Sequence, residues 1–348
     1  MTQSISRRQA LLTSAAATSL LGFPSPVLSQ DVPLKDIWGK DFLMQWSAPE
    51  NVNRDLTPGS SHIRLSCNAY NLRTPKEGES WGDLIRRVRD AGYTAVEASG
   101  SGWDYTISDS SIREIKAACD EYDVEFYTLH VWANIIHPDL EERKRIHKLH
   151  ADAIEMANRL GMKFILTHTG GRSGGRNKDK PHPLNFTQET WEMSVDATKQ
   201  ILKDTAGSPV ALAFEAVNSC NNNTPQSHVR LKQDVGDDRV KVTLDPANMF
   251  HAGTYFRTSE LLNTCFDLLG EDIMYAHAKD KLWDDMMPHF ESVAIGEGGM
   301  DYELYLAHLS RLKYPRCLLI EHLPADQYPP SKQFLEDTAA RLGVTIYK

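Results

Sequence analysis

The chain has 348 residues, 41% of them hydrophobic, enough for one large α/β domain or two small ones. A formal net charge of −9, with no basic helix, excludes a nucleic-acid-binding surface as the organising feature. Five cysteines (Cys67, Cys119, Cys220, Cys265, Cys317) are scattered and form no CxxC pair, so no disulfide framework is expected.

The first residues carry an export pattern. Arg7-Arg8 precede the run of apolar and small residues Leu11 to Phe23, and Pro24-Ser25-Pro26 come next. A charged start, a short apolar centre and a small residue near the cut specify a cleaved signal rather than a membrane span. The twin arginine resembles a twin-arginine (Tat) signal, which exports folded proteins. The expectation is a signal over residues 1–29, a mature chain beginning near Gln30 in the periplasm, and no membrane attachment after removal of the signal. No later apolar run is long enough to cross a bilayer. Residues 30–61 are polar, carry Trp38 and Trp46, and read as a segment wrapping the domain.

From residue 62 to 348 short apolar runs alternate with amphipathic ones. Ile63 to Asn68 reads as a strand, and Trp81 to Ala91 as a helix closing on Gly92. Tyr93 to Glu97 is a second strand, followed by a helix from about Asp109 to Tyr122. Val124 to His130 is a third, followed by a long charged helix, Asp139 to Leu160, ended by Gly161. Lys163 to His168 is a fourth, with a helix from about Gln188 to Asp204. Four more runs then end in a metal-ligand side chain: Val210 to Glu215, Val240 to Asp245, Ile273 to His277 and Cys317 to Glu321. The last helices fall at Tyr302 to Leu312 and Lys332 to Leu342. Eight strand–helix repeats demand a parallel sheet and specify a single-domain (β/α)8 TIM barrel. A doubly wound open sheet would want a glycine-rich phosphate turn after its first strand, and Asn68-Ala69-Tyr70-Asn71 is not one.

In a TIM barrel all strand C-termini open onto one face, so Glu215, Asp245, His277 and Glu321 are expected to converge there. A buried strand gains nothing from a terminal carboxylate unless a partner offsets its desolvation, and a divalent cation does so. Three carboxylates and one imidazole suit Mn²⁺ foremost, and also Mg²⁺, Co²⁺ or Zn²⁺. The alternative, that each acid caps the next helix, fits one such residue better than four in register. Candidate substrate-binding residues on the same face are Asn218, Asn248, Lys279, His130, His168 and Trp283, with Trp132 as a further apolar wall. Packing or surface roles compete for the two histidines, the lysine and the tryptophans. Two loops are candidate lids: Gly170 to Asn185, and Lys281 to Gly299 with Glu297 inside it.

With these residues in place the sequence resembles the xylose isomerase-like TIM-barrel superfamily, the sugar phosphate isomerase/epimerase group. Glu-x-x-Asn at 215–218, Asp-x-x-Asn at 245–248, His-x-Lys-Asp at 277–280 and the lone Glu321 carry the resemblance, which covers roughly Ile63 to Lys348. It implies that the four ligands hold one Mn²⁺-type ion and that Glu215 and Glu321 act as the catalytic acid/base pair. The ketose epimerases of that group usually have His where Asn248 stands and Glu where Asn221 stands. Its DNA-repair members need a three-zinc site with His in place of Asn248 and an Asp-x-His after the seventh strand, and neither is present.

The expected activity is a divalent-metal-dependent isomerase or epimerase acting on a non-phosphorylated keto-sugar, by proton abstraction α to a metal-bound carbonyl. Export favours free or glycosidic sugars over phosphorylated ones. The alternative is a lyase or hydrolase acting on 3-keto-glycosides at the same site; a non-catalytic sugar-binding barrel and phosphodiester hydrolysis are more distant. The expected partner is a small-molecule carbohydrate, without nucleic acid or membrane, and homo-oligomerisation is left open.

Overall fold

A computed structural model of the protein describes residues 52–69, 72–99, 105–173, 181–284, 289–313 and 316–348. The twin-arginine signal at 1–29, Trp38 and Trp46 lie outside the described residues, as do parts of both candidate lids (174–180 and 285–288). One compact unit spans Asn53–Lys348.

Within it the chain runs β1 (Ile63–Cys67), α1 (Trp81–Asp90), β2 (Ala95–Ala98), α2 (Asp109–Tyr122), β3 (Glu125–Leu129), α3 (Leu140–Leu160), β4 (Phe164–Thr167), α4 (Gln188–Asp204), β5 (Ala211–Glu215), α5 (Pro225–Val235), β6 (Val240–Leu244), α6 (Thr258–Leu269), β7 (Ile273–Ala278), β8 (Asp280–Asp284), β9 (His289–Val293), α7 (Tyr302–Arg311), β10 (Arg316–Ile320) and α8 (Tyr328–Leu342). Six strands form one parallel sheet in the order β1-β10-β7-β6-β5-β4, and β2 pairs in parallel with β3. A bridge between His130 and Leu166 joins β3 to β4, and the Thr94 amide donates to the Leu65 carbonyl at 3.1 Å beside β1. These contacts bring all eight parallel strands into the (β/α)8 arrangement that the strand–helix alternation predicts.

Local sequence sets the punctuation. Ser80, Ser108, Asp139, Thr187 and Asp301 each accept a backbone N–H in the first turn of the helix they precede, satisfying donors that the helix itself leaves open. Gly161 ends α3 at φ 82°, a left-handed conformation that costs a residue with a Cβ about 1 kcal/mol. Two elements differ from the expectation. Helix α8 begins at Tyr328 rather than Lys332, because Pro329 and Pro330 fall in its first turn, where the missing N–H costs nothing. The segment after β7 is not a plain loop but an antiparallel hairpin, β8–β9, with Trp283 opposite Phe290.

Strand parity divides the core in two. Val96, Leu212, Phe214, Leu244, Ala276 and Ile320 pack with helix residues such as Leu84, Ile154 and Leu304 in the outer layer. Ala95, Phe164, Leu166, Ala211, Ala213, Tyr275, Cys317 and Leu319 form a separate cluster of strand residues inside the barrel. Alternation at period two then sets the direction of each strand's last side chain. The residue after each outward position at a strand's C-terminal end points inward, at the mouth.

Residues 53–61 lie along α7. The Arg54 guanidinium binds Asp301 at 2.7 and 2.8 Å, and the Gly59 amide donates to Ser310 Oγ at 2.9 Å. A Cβ on Gly59 would stand 2.2 Å from the Ser310 carbonyl oxygen, so only glycine lets the segment lie this close.

Candidate metal centre

The inward positions at the barrel mouth are Asn68, Glu97, His130, His168, Glu215, Asp245, His277 and Glu321, all buried and all polar. Buried in this way, each needs a polar or charged partner close by.

Four of them converge. Glu215, Asp245, His277 and Glu321 place one ligand atom each within 4.8 Å of one another. His277 Nδ1 lies 2.9 Å from Glu321 Oε1, 3.3 Å from Glu215 Oε1 and 3.7 Å from Asp245 Oδ2. Lys279, two residues past His277 and just beyond the end of β7, puts Nζ 2.6 Å from Asp245 Oδ2 and 2.7 Å from Glu321 Oε1. It also donates to Asn248 Oδ1 at 3.1 Å, while Asn248 Nδ2 donates to Glu215 Oε1 at 2.8 Å. Asn68 Nδ2 donates to Glu321 Oε2 at 3.1 Å, and Asn68 Oδ1 accepts from Tyr328 OH at 2.7 Å.

Side-chain chemistry alone does not satisfy this group. Glu321 Oε1 and both ring nitrogens of His277 are buried at ion-pair distances yet make no hydrogen bond of acceptable geometry. Three carboxylates face one lysine and one imidazole, so a neutral site requires further positive charge. A divalent ion together with Lys279 and a neutral His277 balances the three carboxylates, and the O,O,O,N donor set suits such an ion. The ionisation tendencies reflect the same deficit. Burial would lower His277, but Glu321 and Glu215 outweigh it and hold the imidazole well above its ordinary range. Burial would raise Glu321, but Lys279 and His277 hold it well below the usual carboxylate range. Asp245 is lowered on the same grounds, against its own burial, by Lys279 and His277. Glu215 lies beyond hydrogen-bond reach of the lysine, and burial leaves it raised.

A second trio of ligand-type atoms, His130, His168 and Glu215, shares Glu215 with the first group. His130 Nε2 faces His168 Nε2 at 3.0 Å, and His168 Nε2 lies 3.5 Å from Glu215 Oε2. Trp132 stands over both imidazoles, its ring 5.1 Å from that of His130 and 5.2 Å from that of His168, and is 48% exposed. It forms an apolar wall beside the polar floor.

The structure thus gathers His130, His168, Asn248 and Lys279 around the four expected ligands. It turns Asn218 elsewhere, to donate to the Phe250 carbonyl at 3.3 Å. Trp283 packs on the hairpin with Tyr255, Phe256 and Phe290. Glu97 and Asn68 are additions that the sequence pattern alone does not assign to the site, although Glu97 closes a short apolar run as the four ligands do. The β8–β9 hairpin is pinned to the site by Asp280, whose carboxylate accepts the amides of Lys281, Gly296, Gly298 and Met300 at 2.9 to 3.1 Å. A cavity of about 1280 Å³ opens at the opposite end of the barrel, among residues such as Arg64, Glu125, Lys163, Lys241 and Arg316. No metal-ligand cluster lines it among the described residues.

Fold and site together define a TIM barrel with a metal-ligand cluster at its C-terminal mouth. Residues 85–339 match the family described as "Xylose isomerase-like TIM barrel", and the chain belongs to that family. Among solved structures it is similar to a xylose isomerase-like TIM-barrel protein from Mycobacterium smegmatis in complex with magnesium, at 15% identity and a TM-score of 0.61 over 81% of this chain and 97% of that one. It is also similar to endonuclease IV from Thermus thermophilus (14%, TM-score 0.60, 80% and 99%) and to the 3-keto-D-glucoside 4-epimerase YcjR from E. coli (17%, TM-score 0.55, 81% and 99%). At these identities the likeness establishes the fold. Among the described residues no helix is long and apolar enough to cross a membrane.

Proposed function

We propose that the protein is a divalent-metal-dependent isomerase or epimerase acting on a non-phosphorylated keto-sugar. The observation that carries this reading is the convergence of Glu215, Asp245, His277 and Glu321 to within 4.8 Å at the barrel mouth. These four residues would hold the ion, Mn²⁺ foremost. Bound there, it would supply Lewis acidity toward a carbonyl or hydroxyl oxygen of the substrate.

The protein's own groups perform the proton chemistry. Glu321, held ionised by Lys279 and His277, is suited to take the proton from the carbon α to the carbonyl. Glu215, the other glutamate of the cluster, is suited to deliver a proton to the opposite face of the enediolate, so that the two glutamates divide the roles of base and acid. Lys279 presents its ammonium where negative charge develops on the enediolate oxygen. His168 and His130 continue the polar floor from Glu215 and bind substrate hydroxyls, and Trp132 offers its face to a sugar ring.

One observation favours a second reading, elimination or hydrolysis of a 3-keto-glycoside. Phe256 and Leu282 are exposed on and beside the hairpin that starts next to Lys279, an apolar surface suited to an aglycone. The name of the E. coli relative lends both readings support, since its substrate is a 3-keto-glucoside.

The test has two stages. Elemental analysis of the native protein and Glu321→Ala should find about one divalent ion per chain, weakened in the variant. Incubation with keto-sugars and 3-keto-glycosides in deuterated water then separates the chemistries: epimerisation puts deuterium on the α carbon and keeps the aglycone, whereas elimination releases it. An absence of bound ion under every loading condition would sink both readings.

A further inference from the structure

Among the described residues Glu97 is the one inward carboxylate at the barrel mouth that the four-ligand cluster does not include, and it is 1% exposed. Strand β2 carries it on the same face as Ala95, and the facing strand is adjusted to meet it. The pairing of β2 with β3 slips by one residue between Val96 and Glu97, so that Val96 faces Phe126 but Glu97 faces Thr128. Such a bulge reverses the alternation of the longer strand. Tyr127 packs inside the barrel, Leu129 packs outside it, and His130 returns inward onto Glu97.

The carboxylate stands between two imidazoles. Its Oε1 lies 3.4 Å from His130 Nδ1 and 3.4 Å from an Arg73 guanidinium nitrogen. Its Oε2 makes no hydrogen bond and lies 4.0 Å from His277 Nε2, which makes none either. His277 presents its other nitrogen, Nδ1, to the three ligand carboxylates. To ligate a cation through Nδ1, that nitrogen must be unprotonated and the proton must sit on Nε2, facing Glu97. The geometry at His130 is parallel: a proton on Nδ1 faces Glu97, and Nε2 is left to accept from His168 Nε2 across 3.0 Å. Neutral imidazole populates both tautomers, and a fixed carboxylate at one nitrogen selects between them.

We propose that Glu97 is the positioning residue of this site, holding His277 in the Nε2–H tautomer and His130 in the Nδ1–H tautomer. One buried charge thereby sets which nitrogen of the ligand imidazole is offered to the metal and which nitrogen of His130 receives a proton from His168. The His277 half of the inference rests on the proposed metal function; the His130 half does not. Glu97 touches neither the ion nor the substrate and acts through the two rings.

The experiment is nitrogen-15 NMR of the imidazoles in the full-length protein, at mildly alkaline pH, metal-free and loaded with Zn²⁺ as a diamagnetic probe. Zn²⁺ affinity is measured alongside. Assignments come from His130→Gln and His277→Gln, and the test variants are Glu97→Gln and Glu97→Asp. In the metal-free native protein His130 should show the Nδ1–H pattern, and both Glu97 variants should move it toward the Nε2–H form. In the Zn²⁺ form His277 should show Nε2–H, and Glu97→Gln should bind Zn²⁺ about 10- to 100-fold more weakly. A merely structural Glu97 would lower thermal stability and leave the ring patterns as they are. Unchanged His130 tautomers in both variants would overturn the proposal. If the native protein takes up no Zn²⁺, the metal reading falls by itself and the metal-free His130 signal still decides the role of Glu97.

Discussion

Lys279 is the residue on which the metal-free site depends. Its ammonium touches Asp245 and Glu321 while being only 3% exposed, in a pocket that already confines a third carboxylate. Removing one partner of a buried ion pair leaves an uncompensated charge and typically costs about 3–5 kcal/mol. Lys279→Met, which keeps the length and removes the charge, should therefore lower the melting temperature in the presence of a chelator. A saturating divalent ion should restore most of the loss, because it supplies positive charge to the same oxygens. The melting temperature of the variant should thus respond to metal more strongly than that of the native protein. Equal metal responses in the two proteins would show that Lys279 and the ion do not share these oxygens. Asn248 invites the complementary measurement, since its amide donates to Glu215 and its carbonyl oxygen accepts from Lys279. Asn248→Asp replaces the donor with a further negative charge beside Glu215 and should destabilise the chelated protein by about 1–3 kcal/mol, read by urea unfolding. A variant as stable as the native chain would remove Asn248 from the network.

At the scale of the element, the β8–β9 hairpin shows how a loop is anchored to a rigid site. Asp280 directly succeeds Lys279, and its two carboxylate oxygens gather four amides from both ends of the segment Lys281 to Met300. Burial pushes this carboxyl up, against the four backbone donors that favour its charge. Glycine is required beside it: a Cβ on Gly298 would stand 2.2 Å from Asp280 Oδ1. Asp280→Ala strands four N–H groups, of which the Met300 amide is buried and the other three are partly buried, and a buried N–H left unpaired costs about 1–3 kcal/mol. The loss should be local, since the barrel strands pair without the hairpin. Hydrogen exchange should accelerate across the described residues of 281–300 and stay unchanged in β5 and β6. Uniform acceleration across the barrel would show instead that Asp280 supports the whole fold.

What is legible in the sequence divides along the same lines. Runs of apolar residues ending in a ligand type mark the strands, and parity within each run places Glu215, Asp245, His277 and Glu321 on one face, because the period of a strand leaves no other choice. Glu97 carries the same signature, but four ligands already satisfy one ion, and nothing in the sequence gives a fifth acid a task. The inward turn of His130 depends on the slip opposite Glu97, and a one-residue slip leaves no mark on composition or periodicity. The hairpin is equally hidden: Lys281 to Val293 is charged, aromatic and broken by Asp284-Asp285, which reads as a loop until the tertiary contacts of Asp280 are known.

For the whole molecule the buried histidines outside the site set the response to acid. His228 has its imidazole within the fold near Asn222, and burial pulls it down to about 3 from an ordinary 6.5. His308, partly buried against the neighbouring Arg311, is lowered to about 4 by burial and by that charge. In both cases the unfolded chain takes up the proton before the folded one. Stability is therefore complete above pH 6.5 and declines as the pH falls toward these folded-state values. His277 does not obscure this limb, because its folded value lies above the ordinary one and its contribution is already constant below pH 6.5. The lowered carboxylates Asp245 and Glu321 act further down, their stabilisation being lost as the pH falls from the usual carboxylate range toward their lower folded values. Between about pH 6.5 and 5 the buried imidazoles lower the stability while the raised carboxyls of Glu215 and Asp280 act the other way, and for His228 alone the fall amounts to about 2 kcal/mol at pH 5. Urea unfolding of the chelated protein at the two ends of this window should show that fall. His228→Leu, which cannot take a proton, should lose less between them even if it starts from a lower stability. Parallel acid slopes for the two proteins would mean that His228 is reached by water in the native state, and that the packing of α5 against β6 is looser than the structure describes.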